Sequence, residues 1–226
     1  ELKDVRFDVP KTNHVALNLE LNEGSRYQVG SVEFQGNELY SQPEIVGNLR
    51  SKDGEKLKSG LQDKPGEIFT PKKLGKDVDA VIDFYGARGY IDARVDVEKV
   101  PNVQNGTLDL KYKVKEGEKS YIEKVEIKGN TKTKDKVIRR ELAITPGQVF
   151  DQVRVKISKS RLEQLQYFEK VETSNDPSDS GPNRKNLVIS VEEKNTGNFA
   201  VGAGFSSIDS IVGYVEISQG NFDLFH

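Results

Sequence analysis

Residues 110–130 read LKYKVKEGEKSYIEKVEIKGN, and residues 17–37 read LNLELNEGSRYQVGSVEFQGN. Both stretches run from alternating apolar residues through Glu-Gly into a second alternating run that ends at Gly-Asn. Gly129 lies 93 residues after Gly36. The same spacing separates Glu23 from Glu116, Gly24 from Gly117, Val32 from Val125, and Phe34 from Ile127. Alternation of period two predicts β-strands, and the constant spacing predicts that one folding unit occurs twice.

The rest of each unit also repeats, but at a shorter spacing. Each copy continues with a short helix, predicted over residues 41–50 and 133–143 and opened by a residue that can cap a helix. A Pro-Gly turn then precedes a second helix, and Gly147 lies only 81 residues after Gly66. The first copy therefore holds 12 additional residues, and the polar stretch 52–63 is predicted to be a surface loop.

The second helix of each copy carries apolar residues at helical spacing, which predicts a face turned toward a core. These residues are Leu74, Val78, Val81, Ile82 and Tyr85 in the first copy, and Val155, Ile157, Leu162, Leu165 and Tyr167 in the second. Two strands follow, at 90–100 and 107–115 in the first copy and at 168–173 and 187–193 in the second. The unit is thus β-α-α-β-β, which predicts an α+β fold class in which two helices cover a three-stranded sheet.

The first 24 residues contain only two strands, over 2–9 and 14–21, which correspond to the last two strands of such a unit. We therefore expect the chain to be a segment of a longer protein. The predicted organisation is the end of a preceding unit in 1–24, complete units in 25–117 and 118–194, and a final segment of different character in 195–226.

Composition excludes several classes of function. The 226 residues carry 34 Lys and Arg against 36 Asp and Glu, and this net charge of −2 argues against a nucleic-acid binder. The absence of Cys excludes a disulfide scaffold and thiol catalysis, and the distant His14 and His226 argue against a histidine metal site. No acid and base pair is evident among the carboxylates. We predict a non-enzymatic protein without cofactor or metal. No apolar run approaches the roughly 20 residues of a membrane helix.

The final segment follows a different pattern, because charged residues become rare after residue 193. Residues 198–205 read NFAVGAGF, and alternation resumes over residues 211–219. Each run approaches the about 9–11 residues of a strand that crosses a bilayer, so we predict the first hairpin of a truncated membrane β-barrel. The side chains predicted to face the membrane are Phe199, Val201, Phe205, Ile211, Val215 and Ile217. An amphipathic hairpin of a soluble sheet is the alternative that the local pattern also allows.

Repeated β-α-α-β-β units with Gly-Asn after the first strand and Pro-Gly-x-x-Phe before the second helix resemble POTRA domains. Residues 129–142, GNTKTKDKVIRREL, are similar to the membrane-proximal POTRA domain of the BamA outer-membrane assembly family. Residues 191–197, VEEKNTG, resemble that family's passage into its barrel, and residues 199–225 resemble its first strands. The resemblance covers essentially the whole chain.

The resemblance implies the outer membrane of a Gram-negative-type bacterium, with the units in the periplasm and a barrel in the lipid. It implies no cofactor or nucleotide. The implied function is to receive unfolded outer-membrane proteins by strand addition and to dock accessory outer-membrane lipoproteins. A related transporter that secretes a substrate through its own barrel, and a structural chain of interaction modules, are the alternatives. The similarity of residues 131–142 favours assembly over secretion, and the final hairpin argues against a scaffold.

The resemblance also implies two binding surfaces. The second strand of each unit is the expected client-binding edge, formed by Arg94, Val95, Asp96, Val97 and Glu98 in the first copy and by Lys170, Val171 and Glu172 in the second. Charges on such a strand also deter aggregation without any client. Accessory lipoproteins are expected at Arg139, Arg140 and Glu141, where adjacent charges of both signs can orient a partner. A solvated helix end is the alternative there.

Overall fold

The computed structural model describes residues 2–11, 14–21, 26–49, 60–206 and 210–221. Two strands open the chain, β1 (Leu2–Lys11) and β2 (His14–Leu21), and they pair antiparallel with each other. Both lie where the sequence predicts strands. Among the described strands they have no further partner, so their assignment to a preceding unit stays a prediction.

The first complete module has the predicted β-α-α-β-β order. Its elements are β3 (Gln28–Gln35), α1 (Gln42–Gly47), α2 (Pro71–Gly86), β4 (Arg94–Asn102) and β5 (Thr107–Lys115). The central strand is β5, which pairs parallel with β3 and antiparallel with β4. The helices and the sheet enclose one apolar core whose most buried members include Val29, Ile45, Leu49, Val81, Tyr85, Leu110 and Tyr112.

The second module repeats this architecture. Its elements are β6 (Tyr121–Lys128), α3 (Asp135–Glu141), α4 (Gln152–Gln164), β7 (Phe168–Pro177) and β8 (Arg184–Glu193). Here β8 is central, parallel to β6 and antiparallel to β7. Its core includes Ile122, Ile138, Phe150, Val155, Leu162, Leu187 and Ile189. The prediction of an α+β fold with one unit used twice is therefore confirmed.

Glycine is required where each module turns out of its first strand. Gly36 and Gly129 have φ angles of 78° and 91°, a region in which residues with a Cβ atom are strained. A Cβ atom at either position would also run into a backbone oxygen of the central strand, that of Val114 or of Val191. Both conditions explain why the same glycine occurs in both copies.

The asparagine after each of these glycines closes the turn. The side-chain amide of Asn37 donates a hydrogen bond to the backbone oxygen of Tyr40 at 2.9 Å. In the second module the amide of Asn130 donates to the backbone oxygen of Thr133 at 3.0 Å. The repeated Gly-Asn is thus a structural turn that sets the start of the first helix.

The end of the additional stretch in the first module differs from the prediction of a surface loop. Leu61 and Asp63 are buried, with relative exposures of 6% and 0%. The Asp77 carboxylate on α2 accepts hydrogen bonds from the backbone N–H groups of Gln62 at 2.7 Å and Asp63 at 2.8 Å. These bonds fasten the returning chain to the helix, so the prediction is wrong for this part. Residues 52–59 of the stretch lie outside the described residues.

The two modules contact each other directly. The backbone N–H of Ser120 donates to the oxygen of Gly89 at 2.8 Å, and Lys156 on α4 forms an ion pair with Asp83 on α2. Ile91, which belongs to the first module, packs against the core of the second. The short connection between β5 and β6 is therefore reinforced by polar and apolar contacts.

The final segment forms two strands, β9 (Gly197–Ser206) and β10 (Ser210–Gln219), in an antiparallel hairpin. Among the described strands they pair only with each other. The hairpin lies where the sequence predicts it, but the predicted start of a barrel is corrected to a separate two-stranded sheet, since no third strand lies beside β9 or β10 among the described strands. Residues 207–209 and 222–226 of the predicted segment lie outside the described residues. No helix in the described parts of the chain has the length and apolar character needed to cross a membrane.

Candidate functional site

The second strand of each module lies at an edge of its sheet. β4 and β7 each pair with the central strand alone among the described strands. The opposite edges are partly covered, because the chain after each Pro-Gly turn pairs with the start of β3 and β6. The backbone N–H of Val29 donates a hydrogen bond to the backbone oxygen of Glu67 at 2.8 Å, and the backbone N–H of Ile122 donates one to the backbone oxygen of Gln148 at 2.9 Å. Within the two modules, the longest open backbone edges are therefore on β4 and β7.

The side chains of β4 alternate as the sequence predicts. Arg94, Asp96 and Glu98 are exposed, whereas Val95 is buried and Val97 is partly buried. The Glu98 carboxylate lies 2.8 Å from the ammonium of Lys113 on the central strand, and this hydrogen bond lowers the pKa of Glu98. The edge thus carries charges of both signs above an apolar underside.

The corresponding edge in the second module has the same character. Val171 is buried opposite Val191 of the central strand. Lys170 and Glu172 are exposed on either side of it, and their charged groups lie 2.7 Å apart. Their hydrogen bond raises the pKa of Lys170 and lowers that of Glu172, so both groups are ionised at neutral pH.

The three residues expected to meet an accessory lipoprotein lie together at the end of α3. The Arg139 guanidinium donates to the Asp135 carboxylate at 2.6 Å and to the backbone oxygen of Val125 at 3.3 Å. Arg140 donates to the neighbouring carboxylate of Glu141 at 3.1 Å. Arg139 is therefore held against its own module, and Arg140 and Glu141 form a second pair.

Sequence reasoning missed the carboxylate that organises the surface before α3. Glu193, at the end of β8, accepts hydrogen bonds from the backbone N–H groups of Lys132 and Thr133 at 2.8 and 2.6 Å. It also accepts the hydroxyl of Thr131 at 2.8 Å. Burial would raise the pKa of Glu193, but the hydrogen bonds from Thr133, Thr131 and Lys132 outweigh it and lower the pKa to about 2.

A signal for this role was present in the repeat. Glu116 directly follows β5, much as Glu193 ends β8, and its carboxylate accepts a hydrogen bond from the backbone N–H of Leu39 at 3.1 Å. Leu39 and Lys132 are 93 residues apart and hold the same place in the two modules. An acidic residue that recurs at the end of each central strand could thus have been predicted to fix the turn before each first helix.

The six residues predicted to face a membrane form one surface of the hairpin. Phe199 is paired with Ile217, Val201 with Val215, and Phe205 with Ile211, as direct cross-strand neighbours. Their relative exposures range from 65% to 89%. We call this surface the apolar hairpin face.

The opposite surface of the hairpin is less apolar, and an aromatic ring covers part of its backbone. The Tyr214 ring lies over Gly202, its cross-strand neighbour, where a Cβ atom would overlap the ring. Glu216 lies on the same surface, opposite Ala200. The two sides of the hairpin therefore differ in chemistry.

The chain was compared with known protein families and proteins. The POTRA family, described as surface antigen variable number repeat, matches residues 27–117 and 120–194. The outer membrane protein assembly factor BamA of Neisseria meningitidis serogroup B is 28% identical over 218 residues, which is 96% of this chain and 26% of that protein. The protein of the same name from Nitratidesulfovibrio vulgaris is 27% identical over 208 residues, 90% of this chain and 25% of that protein. The chain thus spans about a quarter of the length of these relatives.

Solved structures agree in fold. Haemophilus influenzae BamA POTRA3-5 superposes with a TM-score of 0.68 at 22% identity, covering 85% of this chain and 72% of that one. BamA from Haemophilus ducreyi lacking POTRA domains 1-3 gives a TM-score of 0.67 at 24% identity, covering 86% of this chain and 34% of that one.

The protein is located in the bacterial outer membrane, with the two modules on the periplasmic side. The chain belongs to the POTRA family, and its curated relatives over most of its length are named outer membrane protein assembly factor BamA.

Proposed function

We propose that this chain helps to assemble outer-membrane β-barrel proteins by binding their unfolded strands at the edges of β4 and β7. The relatives named outer membrane protein assembly factor support the proposal. The observation that carries it is the open backbone edge of each of these strands, which has no partner among the described strands. Unpaired N–H and C=O groups on such an edge can accept an added strand.

Strand addition suits a protein that handles unrelated clients. The new hydrogen bonds would join backbone to backbone, so they would depend little on the side chains of the client. The exposed charges Arg94, Asp96 and Glu98 would meanwhile discourage two copies of this chain from pairing through the same edge. Transient binding is the expected outcome, because one added strand buries little surface.

The chain's lack of cysteine makes a register test possible. A single cysteine is introduced as Asp96→Cys on β4, and a peptide with the sequence of an outer-membrane barrel strand carries another. We expect oxidation to yield a disulfide whose amount depends on the position of the peptide cysteine, because an added strand lies about 5 Å from β4. Mass spectrometry measures the yield.

Lys113→Cys is the matched control. Lys113 is exposed and lies directly opposite Asp96, but on the central strand. An added strand would be about 10 Å from it, too far for a disulfide. Equal yields at the two positions would refute strand addition at β4.

We also propose that Arg139, Arg140 and Glu141 contact an accessory outer-membrane lipoprotein. The proposal is supported by two exposed guanidinium groups at the end of α3. Arg139 pairs with Asp135, and Arg140 pairs with Glu141. Glu141→Lys should reduce copurification of the lipoprotein with the protein, because it places like charges side by side. Undiminished copurification would reject the contact.

The apolar hairpin face is proposed to contact outer-membrane lipid. Its support is three cross-strand apolar pairs with high exposure. The chain has no Trp, so Phe205→Trp provides a single fluorophore, and its emission should shift to shorter wavelength with lipid vesicles. Val212→Trp, on the other side of the hairpin, should shift less, and equal shifts would contradict a membrane-facing side.

We infer that this region binds and positions its partners rather than catalysing a reaction. The relatives are assembly factors by name. In the described residues no group of three or more His, Cys, Asp or Glu side chains could hold a metal ion. The carboxylates at the proposed edges are exposed or paired with lysine.

A further inference from the structure

The segment around α3 differs in charge from its counterpart in the first module. Residues 131–142 contain five basic and two acidic residues, whereas residues 38–49, which hold the same place 93 positions earlier, contain two acidic and no basic residues. Each segment includes the turn and the first helix of its module. The repeat thus provides an internal comparison for the function of these charges.

The fold does not need the basic residues. Both helices bury one isoleucine completely, Ile45 in α1 and Ile138 in α3. Both turns are closed by an asparagine amide and by a carboxylate from the end of the central strand. Since α1 forms in this way without a single lysine or arginine, the positive charge of the second segment requires another explanation.

Two of the five cations are directed to solvent and are not engaged within the described structure. Lys132 and Lys136 are exposed, four residues apart, and form no ion pair with any described residue. Arg139 and Arg140, by contrast, are paired with carboxylates of α3. The two lysines therefore keep their positive charge available for an external anion.

The base of the hairpin is joined to the segment that carries these lysines. Asn221, which follows β10, donates its side-chain amide to the hydroxyl of Thr133 at 2.8 Å, and Thr133 is the neighbour of Lys132. Across the base of the hairpin, the Thr196 hydroxyl donates to the backbone oxygen of Gly220. The hairpin that carries the apolar hairpin face is thus attached to the second module beside Lys132, in the same segment as Lys136.

We infer that Lys132 and Lys136 bind the anionic headgroups of phospholipid on the periplasmic surface of the outer membrane. Apolar side chains beside lysines are the combination that binds an anionic lipid surface, because the chains enter the apolar layer while the ammonium groups meet the phosphates. The inference rests on the proposed lipid contact of the hairpin and adds the headgroup chemistry. It is independent of strand addition at β4 and β7.

The test uses the full 226-residue chain and two vesicle compositions. One contains phosphatidylethanolamine with phosphatidylglycerol, and the other contains phosphatidylcholine alone. We expect co-sedimentation to be stronger with the anionic vesicles and to weaken with added salt. The double variant Lys132→Glu with Lys136→Glu should lower the apparent affinity for anionic vesicles by about tenfold or more, since each lysine near such a surface contributes substantially.

Lys72→Glu with Lys76→Glu is the matched control. These lysines are also exposed and four residues apart, on α2 of the first module, and the variant changes the net charge equally. It should retain binding within about twofold, because the effect is local. Equal losses in both double variants would overturn the inference, as would wild-type binding that is insensitive to lipid charge.

The remaining outcomes separate this inference from the other proposals. If the anionic segment of a protein partner were the true ligand, wild-type protein would not prefer the anionic vesicles, and the inference would fail. Loss of the Phe205→Trp spectral shift in the Lys132 and Lys136 variant on anionic vesicles would support the headgroup contact. If the Lys132 and Lys136 variant keeps both the spectral shift and the wild-type affinity for anionic vesicles, the headgroup contact is refuted. The apolar contact of the hairpin would still stand in that case.

Discussion

At the scale of the residue, the carboxylates of Glu193 and Asp63 differ in the hydrogen bonds that they accept from the described residues. Glu193 is surrounded by donors and is stabilised in its ionised form, so it fixes the turn before α3. Asp63 is buried, and its oxygens accept no hydrogen bond that meets ordinary geometry from the described residues. Both could be recognised as acidic residues in the sequence, but only the fold reveals which one is paired.

The variant Glu193→Gln should destabilise the second module by about 1–2 kcal/mol at neutral pH, because charge-assisted hydrogen bonds become neutral ones and solvent screens the site. The folded-state pKa of about 2 lies below the ordinary 4.5. The ionised carboxylate therefore stabilises the fold above pH 4.5, and this contribution is lost as the pH falls toward 2. Urea unfolding at several pH values measures both effects.

Glu192→Gln is the control for this prediction. Glu192 is the neighbouring residue, exposed, and accepts no hydrogen bond from the described residues. Its replacement should change the free energy of unfolding by less than about 0.5 kcal/mol. Equal effects of the two variants, or a difference between wild type and Glu193→Gln that does not shrink in acid, would contradict the role assigned to Glu193.

At the scale of the element, the alternation and the Pro-Gly turns were sufficient to predict the order of strands and helices. Boundaries were less accurate. The helix predicted over residues 133–143 is Asp135–Glu141, and Ser41 makes no side-chain cap on α1. Asp151 does cap α4, by accepting the backbone N–H of Arg154. Capping preferences are local, whereas here asparagine and glutamate side chains from outside the helix fix the turns.

The buried end of the additional stretch could not be predicted for a related reason. Its sequence is polar, and polarity normally indicates a surface loop. Burial became possible because Asp77 on α2 satisfies two of its backbone N–H groups, those of Gln62 and Asp63. That pairing joins residues 14 and 15 positions apart, and no periodicity in the sequence indicates it.

The two aspartates at this place should respond oppositely to substitution. Asp77→Ala should destabilise the first module by about 2 kcal/mol, because two buried N–H groups lose their acceptor. Asp63→Asn should stabilise it by about 1 kcal/mol at neutral pH, because burial, and then the charge of Asp77, raise the pKa of Asp63. Chemical denaturation at pH 7 measures both changes.

The pH dependence provides the check on Asp63→Asn. A raised folded-state pKa means that the protonated acid favours the fold, so wild-type stability decreases as the pH rises through that pKa. The advantage of Asp63→Asn should therefore disappear in acid, below the ordinary pKa of 3.8. A destabilised Asp63→Asn protein at neutral pH would show that the carboxylate has an essential partner.

At the scale of the whole molecule, the contact between modules is the feature that single-module reasoning omits. Asp83 has a side chain that is only 8% exposed, and its partner Lys156 comes from the other module. Lys185 of β8 also donates to Asp92 at 3.2 Å. The sequence predicted a short connection, and the structure adds a buried charge whose partner lies 73 residues away.

Lys156→Ala should lower the stability of the molecule by about 1–3 kcal/mol and loosen the junction, because it leaves the Asp83 carboxylate buried without its cation. Hydrogen exchange of the Ser120 amide, which donates to Gly89, should become faster. Lys159→Ala is the control, because Lys159 forms its ion pair with Glu163 inside α4 and both side chains are exposed. Identical exchange in the two variants would mean that the ion pair does not hold the junction.

The parallel pairing of the first and last strands in each module has a consequence for distance. Because β3 and β5 run side by side in the same direction, the chain enters a module at one end and leaves at the other. A nine-residue strand advances the path by about 30 Å, whereas an antiparallel exit would bring it back to its origin. In an array of modules joined in this way, each added module would therefore place the end of the chain farther from its start by a similar distance.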